Sequence, residues 1–248
     1  MGRFETSAEF YRYREPYPQA FFNAVTERLA LSRKTSLLDV ACGPGNLVLG
    51  FASFVEKSTA IDPEPEMLRV ARGLAAEAKL DIEFIEGGIE DLERQAGCFD
   101  FVTIGRALHW LPQESTIHVL ERVIAPGGRI AICGSTHTGA SVNGWATKFR
   151  DVRRAWASDP DESRYKVDLD EWFASSRFRR AQEIAVRHTQ CVPVSGLIAR
   201  ALSFSITSPA ILGERRSQFE AKIAEALEPF AVDGIIEEEV IAKATVFG

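Results

Sequence analysis

The residues whose spacing most clearly suggests chemistry form a glycine-rich turn, DVACGPGN, at Asp39–Asn46. The turn follows the apolar run Ser36–Val40 and precedes a helical pattern, so a strand leads into it and a helix leaves it. Gly43 and Gly45 allow the backbone to bend sharply and to approach a ligand closely. The first N–H groups of a helix lack partners within that helix and can bind a ligand. A turn of this kind also occurs without any ligand, so the motif needs support from other residues.

Asp62 is the second candidate, because it follows the next apolar run, Ser58–Ile61. A carboxylate at the end of this strand can accept hydrogen bonds from both hydroxyls of a ribose. The same residues also fit a helix start, with Asp62 as N-cap, Pro63 at the first position and Glu64 in the first turn. Met67 fits packing on an adenine ring and equally fits the apolar stripe of that helix.

The glycine spacing distinguishes between classes of nucleotide site. The dinucleotide fingerprint is G-x-G-x-x-G. Counting from Gly43 and Gly45, Val48 stands where its third glycine would be. An NAD(P) oxidoreductase is therefore the weaker alternative.

Strands and helices alternate around these residues. Strands are predicted at Ser36–Val40, Ser58–Ile61, Asp81–Ile85, Phe99–Ile104 and Arg129–Cys133, the last preceded by a turn at Pro126–Gly128. Helices are predicted at Asn46–Val55, Glu64–Ala78 and Gln113–Ile124. This alternation of strands and helices predicts an α/β fold with a doubly wound, Rossmann-like parallel sheet covered by helices on both faces.

The second half of the chain has a different pattern. Residues 135–180 show no pattern typical of a strand. We expect them to form a helical insertion over the active site, with helices near Trp145–Ala157 and Asp168–Ser175. Strands at Glu183–Val194 and Glu237–Phe247 and helices at Ser195–Leu202 and Pro209–Leu227 follow. We expect a single domain over residues 1–248, in which residues 1–30 form N-terminal lid helices.

The composition narrows the class of protein. A chain of 248 residues with 46% hydrophobic and 26% charged residues fits one large globular domain. The net charge is −6, whereas a nucleic-acid-binding protein is usually basic overall, so we expect no nucleic-acid partner. Cys42, Cys98, Cys133 and Cys191 form no CxxC pair, so we expect no metal site and a reducing, cytoplasmic location. We expect no membrane segment and a monomer or homodimer.

Five motifs carry a family resemblance: LLDVACGPGN, AIDPEPEML, EGGIEDL, FDFVTIGRALHWL and APGGRIAI. Their order and spacing resemble class I S-adenosylmethionine-dependent methyltransferases over residues 34–133. The N-terminal YRYREPYPQAFFNAV resembles a small-molecule branch that includes trans-aconitate methyltransferase-like (methyltransferase type 11) proteins. The resemblance implies a seven-stranded, mostly parallel sheet with a reversed last strand, S-adenosyl-L-methionine as cofactor and a small-molecule acceptor.

The resemblance also implies roles for single residues. The cofactor-binding residues would be Asp39, Ala41, Gly43, Gly45, Asp62, Met67, Gly88, Ile89, Glu90 and Arg106. The glycine turn would line the methionyl part, Asp62 the ribose and Met67 the adenine, with EGGIEDL around the adenine edge. Ala41 replaces a common glycine. Gly88 replaces an aspartate that often accepts from the adenine amino group, so this contact is either missing or supplied by Glu90.

Methyl transfer from a sulfonium is an in-line displacement, so the protein chiefly holds the acceptor in line with the methyl group. A general base is needed only for an acceptor whose proton has a high pKa. His109 is the candidate base, although His109 and Trp110 equally fit a packed helix start. The predicted substrate-binding residues are Tyr13, Arg14, Tyr17, His109 and Trp110, and His137 is a weaker candidate.

The acceptor is predicted to be methylated on oxygen or nitrogen, and a carboxylate would need no base. One alternative is an RNA or tRNA methyltransferase, which is disfavoured because GRALHWLP contains no asparagine-proline-proline motif after the fourth strand. Another alternative is a protein that binds S-adenosylmethionine without catalysis.

Overall fold

The fold is built on one mixed sheet. This computed structural model describes residues 6–92, 99–139, 141–159 and 166–248; Cys98 and the first five residues of the predicted lid lie outside them. In this part of the chain, seven strands pair in the order β3-β2-β1-β4-β5-β7-β6. The strands are β1 Ser36–Val40, β2 Lys57–Asp62, β3 Glu83–Glu86, β4 Phe99–Gly105, β5 Ile124–His137, β6 Arg180–Pro193 and β7 Ile235–Phe247. β1 to β5 pair in parallel and β7 is reversed, which confirms the predicted sheet.

Helices connect the strands. They are α1 Gln19–Leu29, α2 Asn46–Phe51, α3 Pro65–Glu77, α4 Gln113–Val123, α5 Gly144–Trp156, α6 Leu169–Phe173, α7 Val194–Leu202, α8 Pro209–Leu212 and α9 Arg216–Leu227. Short 3-10 helices include Ala8–Tyr13, Ile89–Leu92 and Leu108–Trp110. Among the described residues no single helix is long and apolar enough to cross a membrane, but the bent pair Val194–Leu202 and Ser205–Phe230 has sufficient combined length and apolar character.

The chain divides into two compact units. The first, which we call the sheet unit, comprises Tyr17–Gly134, Glu162–Val186 and Ala242–Gly248. Alternate residues of its strands enter two separate apolar clusters, as the period of two in a strand requires. Leu38 of β1 packs with residues of α4 and α6, whereas Leu37 packs with residues of α1 and α2. Helices therefore cover both faces of the sheet in this unit.

The second, which we call the helical unit, comprises Met1–Pro16, Ser135–Asp161 and Arg187–Ile241. Its apolar cluster joins Trp145 and Phe149 of α5, Leu197 of α7 and Phe219 and Ile223 of α9. In the insertion predicted for residues 135–180, β5 continues to His137 before α5 and α6 follow.

One local prediction, and one alternative role considered for Asp62, differ from the structure. Pro126–Gly128, predicted as a turn before the fifth strand, lies inside β5, where the pairing shifts from Phe99↔Ile124 to Phe101↔Arg129. Gly127, with a φ of 80°, allows this bulge because it has no side chain. Asp62 is not a helix N-cap, since α3 begins at Pro65 and its N-cap is Glu64.

Candidate functional site

The glycine turn connects β1 to α2 through a left-handed backbone. Gly43 has a φ of 55°, and Gly45, the N-cap of α2, has a φ of 85°. Glycine adopts such angles without steric cost. Ala41 also lies in this region, with a φ of 52°, so the residue that replaces a common glycine carries strain of about 1 kcal/mol.

Asp39 is buried beneath the turn and holds it in place. Its side chain is 1% exposed. One carboxylate oxygen accepts from the Thr103 hydroxyl at 2.7 Å, and the other accepts from the Val48 N–H in the first turn of α2 at 3.1 Å. Burial raises the pKa of Asp39 to about 7, despite these two hydrogen bonds. The structure thus places Asp39 as the residue that fixes β1, β4 and α2 around the turn.

Asp62 joins the end of β2 to the same turn. Its Oδ2 accepts from the Gly43 N–H at 2.7 Å and its Oδ1 from the Glu64 N–H at 2.9 Å. Burial also raises the pKa of this carboxyl. An ionised carboxylate has about four acceptor positions. Each oxygen therefore keeps a lone pair that can accept from a ligand hydroxyl.

Met67 lies against the turn from α3. Its side chain is 2% exposed, and its sulfur is 4.0 Å from where a Cβ on Gly43 would stand. Open backbone, a carboxylate and a polarisable thioether thus meet at one point. These are chemical groups that suit a nucleoside ligand.

The EGGIEDL segment follows β3, the strand paired with β2. The Gly87 N–H donates to the Asp62 carbonyl at 3.1 Å, so this segment begins next to the candidate ribose carboxylate. Ile89 is buried and Glu90 is exposed. A Cβ on Gly88 would collide with the Glu90 carboxylate, so the glycine makes room for that side chain.

Arg106, His109 and Trp110 follow β4 in the sheet unit. Arg106 has a φ of 55°, and its guanidinium carbon lies 4.9 Å from the centroid of the Tyr17 ring. His109 and Trp110 stand in the 3-10 helix Leu108–Trp110 with ring centroids 4.6 Å apart. Both side chains are half-buried, and Trp110 packs at the edge of an apolar cluster.

Tyr13 and Arg14 belong to the helical unit and pack against α7 and the residues just after it. The Tyr13 carbonyl accepts from Arg200 Nε at 2.5 Å. The Arg14 guanidinium donates to the Ser203 carbonyl at 3.1 Å and lies 3.7 Å from the centroid of the Phe204 ring. Their roles in substrate binding stay predictions.

The helical unit also contains a buried polar network that sequence reasoning missed. Glu238 is fully buried and accepts two hydrogen bonds from Arg200, one of them at 2.9 Å. It also accepts from His137 Nε2 and Gln190 Nε2, each at 2.7 Å. Glu15, His137 and Glu238 could together ligate a metal ion by distance. The Arg200 guanidinium opposes a cation there, so the network is a satisfied ion pair.

Sequence reasoning also missed Thr103. Its partner Asp39 stands opposite it in the register of β1 and β4. The apolar stretches LLDV and FVTIG each contain one polar residue, a signal that could have paired Asp39 with Thr103.

Comparison with known proteins finds similarity to methyltransferases. Residues 37–128 match the methyltransferase domain family. A demethylmenaquinone methyltransferase from Lactococcus lactis is 36% identical over 107 residues, 41% of this chain and 42% of the relative. A ubiquinone biosynthesis O-methyltransferase from Xanthomonas oryzae is 34% identical over 119 residues, 47% of this chain and 49% of the relative. The aligned region spans about half the length of these curated relatives.

A solved structure of a candidate type II methyltransferase from Anaeromyxobacter dehalogenans matches with a TM-score of 0.68, covering 94% of this chain and 96% of that one. Its sequence identity is 20%, so this likeness shows the fold alone. The narrower resemblance to the trans-aconitate branch stays a prediction. Residues 37–128 thus match a methyltransferase domain, both relatives are methyltransferases that match over part of their length, and the solved structure shares the fold of this chain. S-adenosyl-L-methionine is the methyl donor that this likeness implies.

Proposed function

We propose that this chain transfers a methyl group from S-adenosylmethionine to the oxygen or nitrogen of a small molecule. The observation that carries the proposal is the 2.7 Å hydrogen bond from the Gly43 N–H to Asp62 Oδ2, with the Met67 sulfur beside Gly43. This hydrogen bond brings the glycine turn that follows β1 next to the carboxylate at the end of β2. A nucleoside ligand bound by both groups requires this arrangement.

The donor set supports this cofactor. Asp62 would accept from the ribose hydroxyls with the lone pairs that Gly43 and Glu64 leave available. Met67 would cover the adenine, and Gly88, Ile89 and Glu90 would surround its edge. Ala41, Gly43 and Gly45 would line the methionyl part. Asp39 stands behind the turn, where its carboxylate, ionised above about pH 7, would favour a cationic sulfonium.

When bound, the cofactor supplies an electrophilic methyl group on a positively charged sulfur. The residues of this chain would exclude water and align the acceptor for in-line attack. The sulfonium would supply the methyl carbon to the acceptor atom and would keep the electron pair of the broken carbon–sulfur bond. His109, half-buried beside Trp110, would take the proton of an acceptor whose own pKa is high.

The first prediction concerns Asp62. We expect Asp62→Ala to raise the dissociation constant for S-adenosylmethionine at least about 10-fold, because a charged acceptor of ribose hydroxyls is lost. Isothermal titration calorimetry measures this, with NAD as the competing ligand. Asp81→Ala, an exposed acid before β3, is the matched control and should bind normally. Unchanged affinity in a folded Asp62→Ala protein would refute the ribose assignment.

The acceptor class requires a separate screen. Radiolabelled methyl transfer should be measured with small acids, phenols, amines and demethylmenaquinone, the acceptor named for one relative. Total RNA is included because an RNA methyltransferase is the main alternative. Transfer to RNA but to none of the small molecules would overturn the proposed acceptor class.

A further inference from the structure

One segment of the helical unit, residues 7–16, completely buries few of its side chains. We call it the N-terminal strap. Ser7 and Ala8 are buried, whereas its other residues are half-buried or exposed. Residues Ala8–Tyr13 form a 3-10 helix, whose hydrogen bonds have poorer geometry than those of an α-helix. We expect such a segment to open locally at a lower free energy than the packed helices beside it.

A single buried guanidinium, that of Arg200 in α7, contacts the end of the strap twice. Arg200 is 1% exposed. Its Nε donates to the Tyr13 carbonyl at 2.5 Å, and its Nη1 lies 3.7 Å from a Glu15 carboxylate oxygen. Because the guanidinium is shielded from water, its hydrogen bond to the strap is stronger than the same bond at the surface.

Two other hydrogen bonds join the strap to the helical unit. The Arg14 guanidinium donates to the Ser203 carbonyl at 3.1 Å, and the Ser135 hydroxyl donates to the Pro16 carbonyl at 2.9 Å. Both of these donors are half-buried. Arg200 is the deeply buried donor of the three, so we expect the closed position of the strap to depend on it most.

Residues outside the strap hold Arg200 in place. Glu238 of β7 accepts two hydrogen bonds from its guanidinium, one of them at 2.9 Å. His137 Nε2 and Gln190 Nε2 donate to the Glu238 carboxylate, each at 2.7 Å. When the strap leaves, these contacts keep Arg200 Nε directed at the place of the Tyr13 carbonyl. The strap therefore returns to a preformed binding site.

We propose that residues 7–16 open and close on the helical unit as a strap, and that Arg200 is the latch that holds the strap closed. Closing fixes Tyr13 and Arg14, the two strap residues that are predicted to bind substrate. Opening releases them while α5, α7 and α9 stay packed. The link to substrate rests on the proposed function, whereas the latch itself does not.

Hydrogen exchange of the whole protein, followed by mass spectrometry without any ligand, tests the latch. The Phe10 and Arg14 amides donate to carbonyls within the strap, each at 3.0 Å, and report its opening. The amides of α9, Arg216–Leu227, report opening of the packed helices. In the wild type, urea below the unfolding transition should hardly change strap exchange, because local opening exposes little surface. Strap exchange that follows α9 as urea rises would show that no separate strap exists.

Arg200→Lys is the principal variant. Lysine keeps a positive charge beside Glu238, but its single nitrogen cannot replace the planar donors that bind the Tyr13 carbonyl and the carboxylate together. We expect strap amides to exchange about 10- to 100-fold faster, as loss of a hydrogen bond from a charged donor predicts, and α9 amides to stay within about 3-fold. Equal acceleration of both would show that Arg200 holds the whole unit, and unchanged strap exchange would show that it is no latch.

Two further variants complete this test. Arg187→Lys makes the same substitution at an exposed arginine of the helical unit, which pairs with Glu239 at 2.8 Å, and should change neither rate. Glu15→Gln leaves the buried pair intact and removes the strap's own charge beside Arg200. It should accelerate strap exchange alone by about 3- to 10-fold. If Arg200→Lys does not fold, this variant decides, and wild-type strap exchange in it contradicts the latch.

The link to substrate has a separate readout. Demethylmenaquinone, or another acceptor that is methylated in the screen, is added at ten times its dissociation constant. If Tyr13 and Arg14 bind it, strap exchange in the wild type should slow about 10-fold, because the acceptor binds only the closed strap. An acceptor that leaves strap exchange unchanged would contradict the role in substrate binding. Failure of every acceptor would contradict the proposed function and leave the measured latch standing.

Discussion

Asp39 is a deeply buried carboxyl group whose burial disfavours its charged form. It is 1% exposed, and burial raises its pKa to about 7 from an ordinary value of 3.8. The folded protein therefore binds a proton between about pH 4 and 7 that the unfolded chain releases. Since the native state binds more protons in this window, the contribution of Asp39 to stability falls as pH rises through it.

The second prediction concerns Asp39→Asn. The amide can still accept from the Val48 N–H, and its NH₂ can donate to the Thr103 hydroxyl. We expect the variant to lose the decline in unfolding free energy between pH 5 and pH 8, and to be more stable than wild type at pH 8 by roughly 1–3 kcal/mol. Urea unfolding at the two pH values measures this. We expect weaker binding of S-adenosylmethionine, because the variant lacks a negative charge near the sulfonium.

Asp100→Asn is the control for that experiment. Asp100 also accepts two hydrogen bonds, from the Ser36 N–H at 2.8 Å and the Ser36 hydroxyl at 2.7 Å, but it is exposed. The pH dependence of its variant should match wild type in this window. An Asp39→Asn protein with the wild-type decline would mean that Asp39 is already ionised at pH 5.

At the scale of elements, α2 depends on close contact with α1. Gly50 of α2 faces Phe22 of α1, and a Cβ there would overlap the Phe22 ring. Phe22 also packs against two other rings, with centroids 4.9 Å from Phe51 and 5.5 Å from Phe21. The ring therefore has little room to move.

The third prediction compares two glycines in helices. Gly50→Ala should destabilise the protein by roughly 1–3 kcal/mol because it overpacks the α1–α2 contact. Gly73→Ala in α3 should instead stabilise it by about 0.5–1 kcal/mol, since a Cβ there meets nothing within 4 Å and alanine favours helix. Chemical denaturation of both variants provides the test. Equal effects of the same sign would show that helix propensity alone governs both sites.

Much of this element arrangement could be predicted from sequence, because apolar periodicity and glycine turns are local signals. The register that brings Asp39 opposite Thr103 is a tertiary property, and so is the bond from Gly43 to Asp62. The bulge at Pro126–Gly128 was missed because proline and glycine favour turns and bulges alike. The network around Glu238 joins residues from distant parts of the sequence, which no local pattern connects.

At the scale of the whole molecule, acid stability depends on that network. Burial alone would raise the pKa of Glu238. Hydrogen bonds from His137, Arg200 and Gln190 and the charge of Arg200 instead lower it to about 2, from an ordinary value of 4.5. The stability that Glu238 contributes is present above pH 4.5 and is lost as pH falls towards 2.

The fourth prediction is that Glu238→Gln lowers the unfolding free energy at pH 7 by up to about 3–5 kcal/mol. Arg200 loses its fully buried carboxylate partner and keeps only the Glu15 carboxylate, 3.7 Å away, as a counterion. The variant should also show a shallower loss of stability between pH 4.5 and 2. Glu220→Gln removes the same charge from the surface pair with Arg216 and should cost less than about 1 kcal/mol. Equal losses of unfolding free energy in the two variants would show that the buried network stabilises the protein no more than the surface pair does.

Two neighbouring central strands end in the same way: β1 is followed by Ala41 and β4 by Arg106, each left-handed without being glycine. A laboratory selection for heat-resistant variants should therefore favour substitution by glycine at positions 41 and 106. At position 41 the gain should come without loss of ligand. At position 106 the more stable glycine variant would lose a charged side chain that is predicted to bind the cofactor. Screening for thermal stability alone would therefore enrich variants that bind the ligand less tightly.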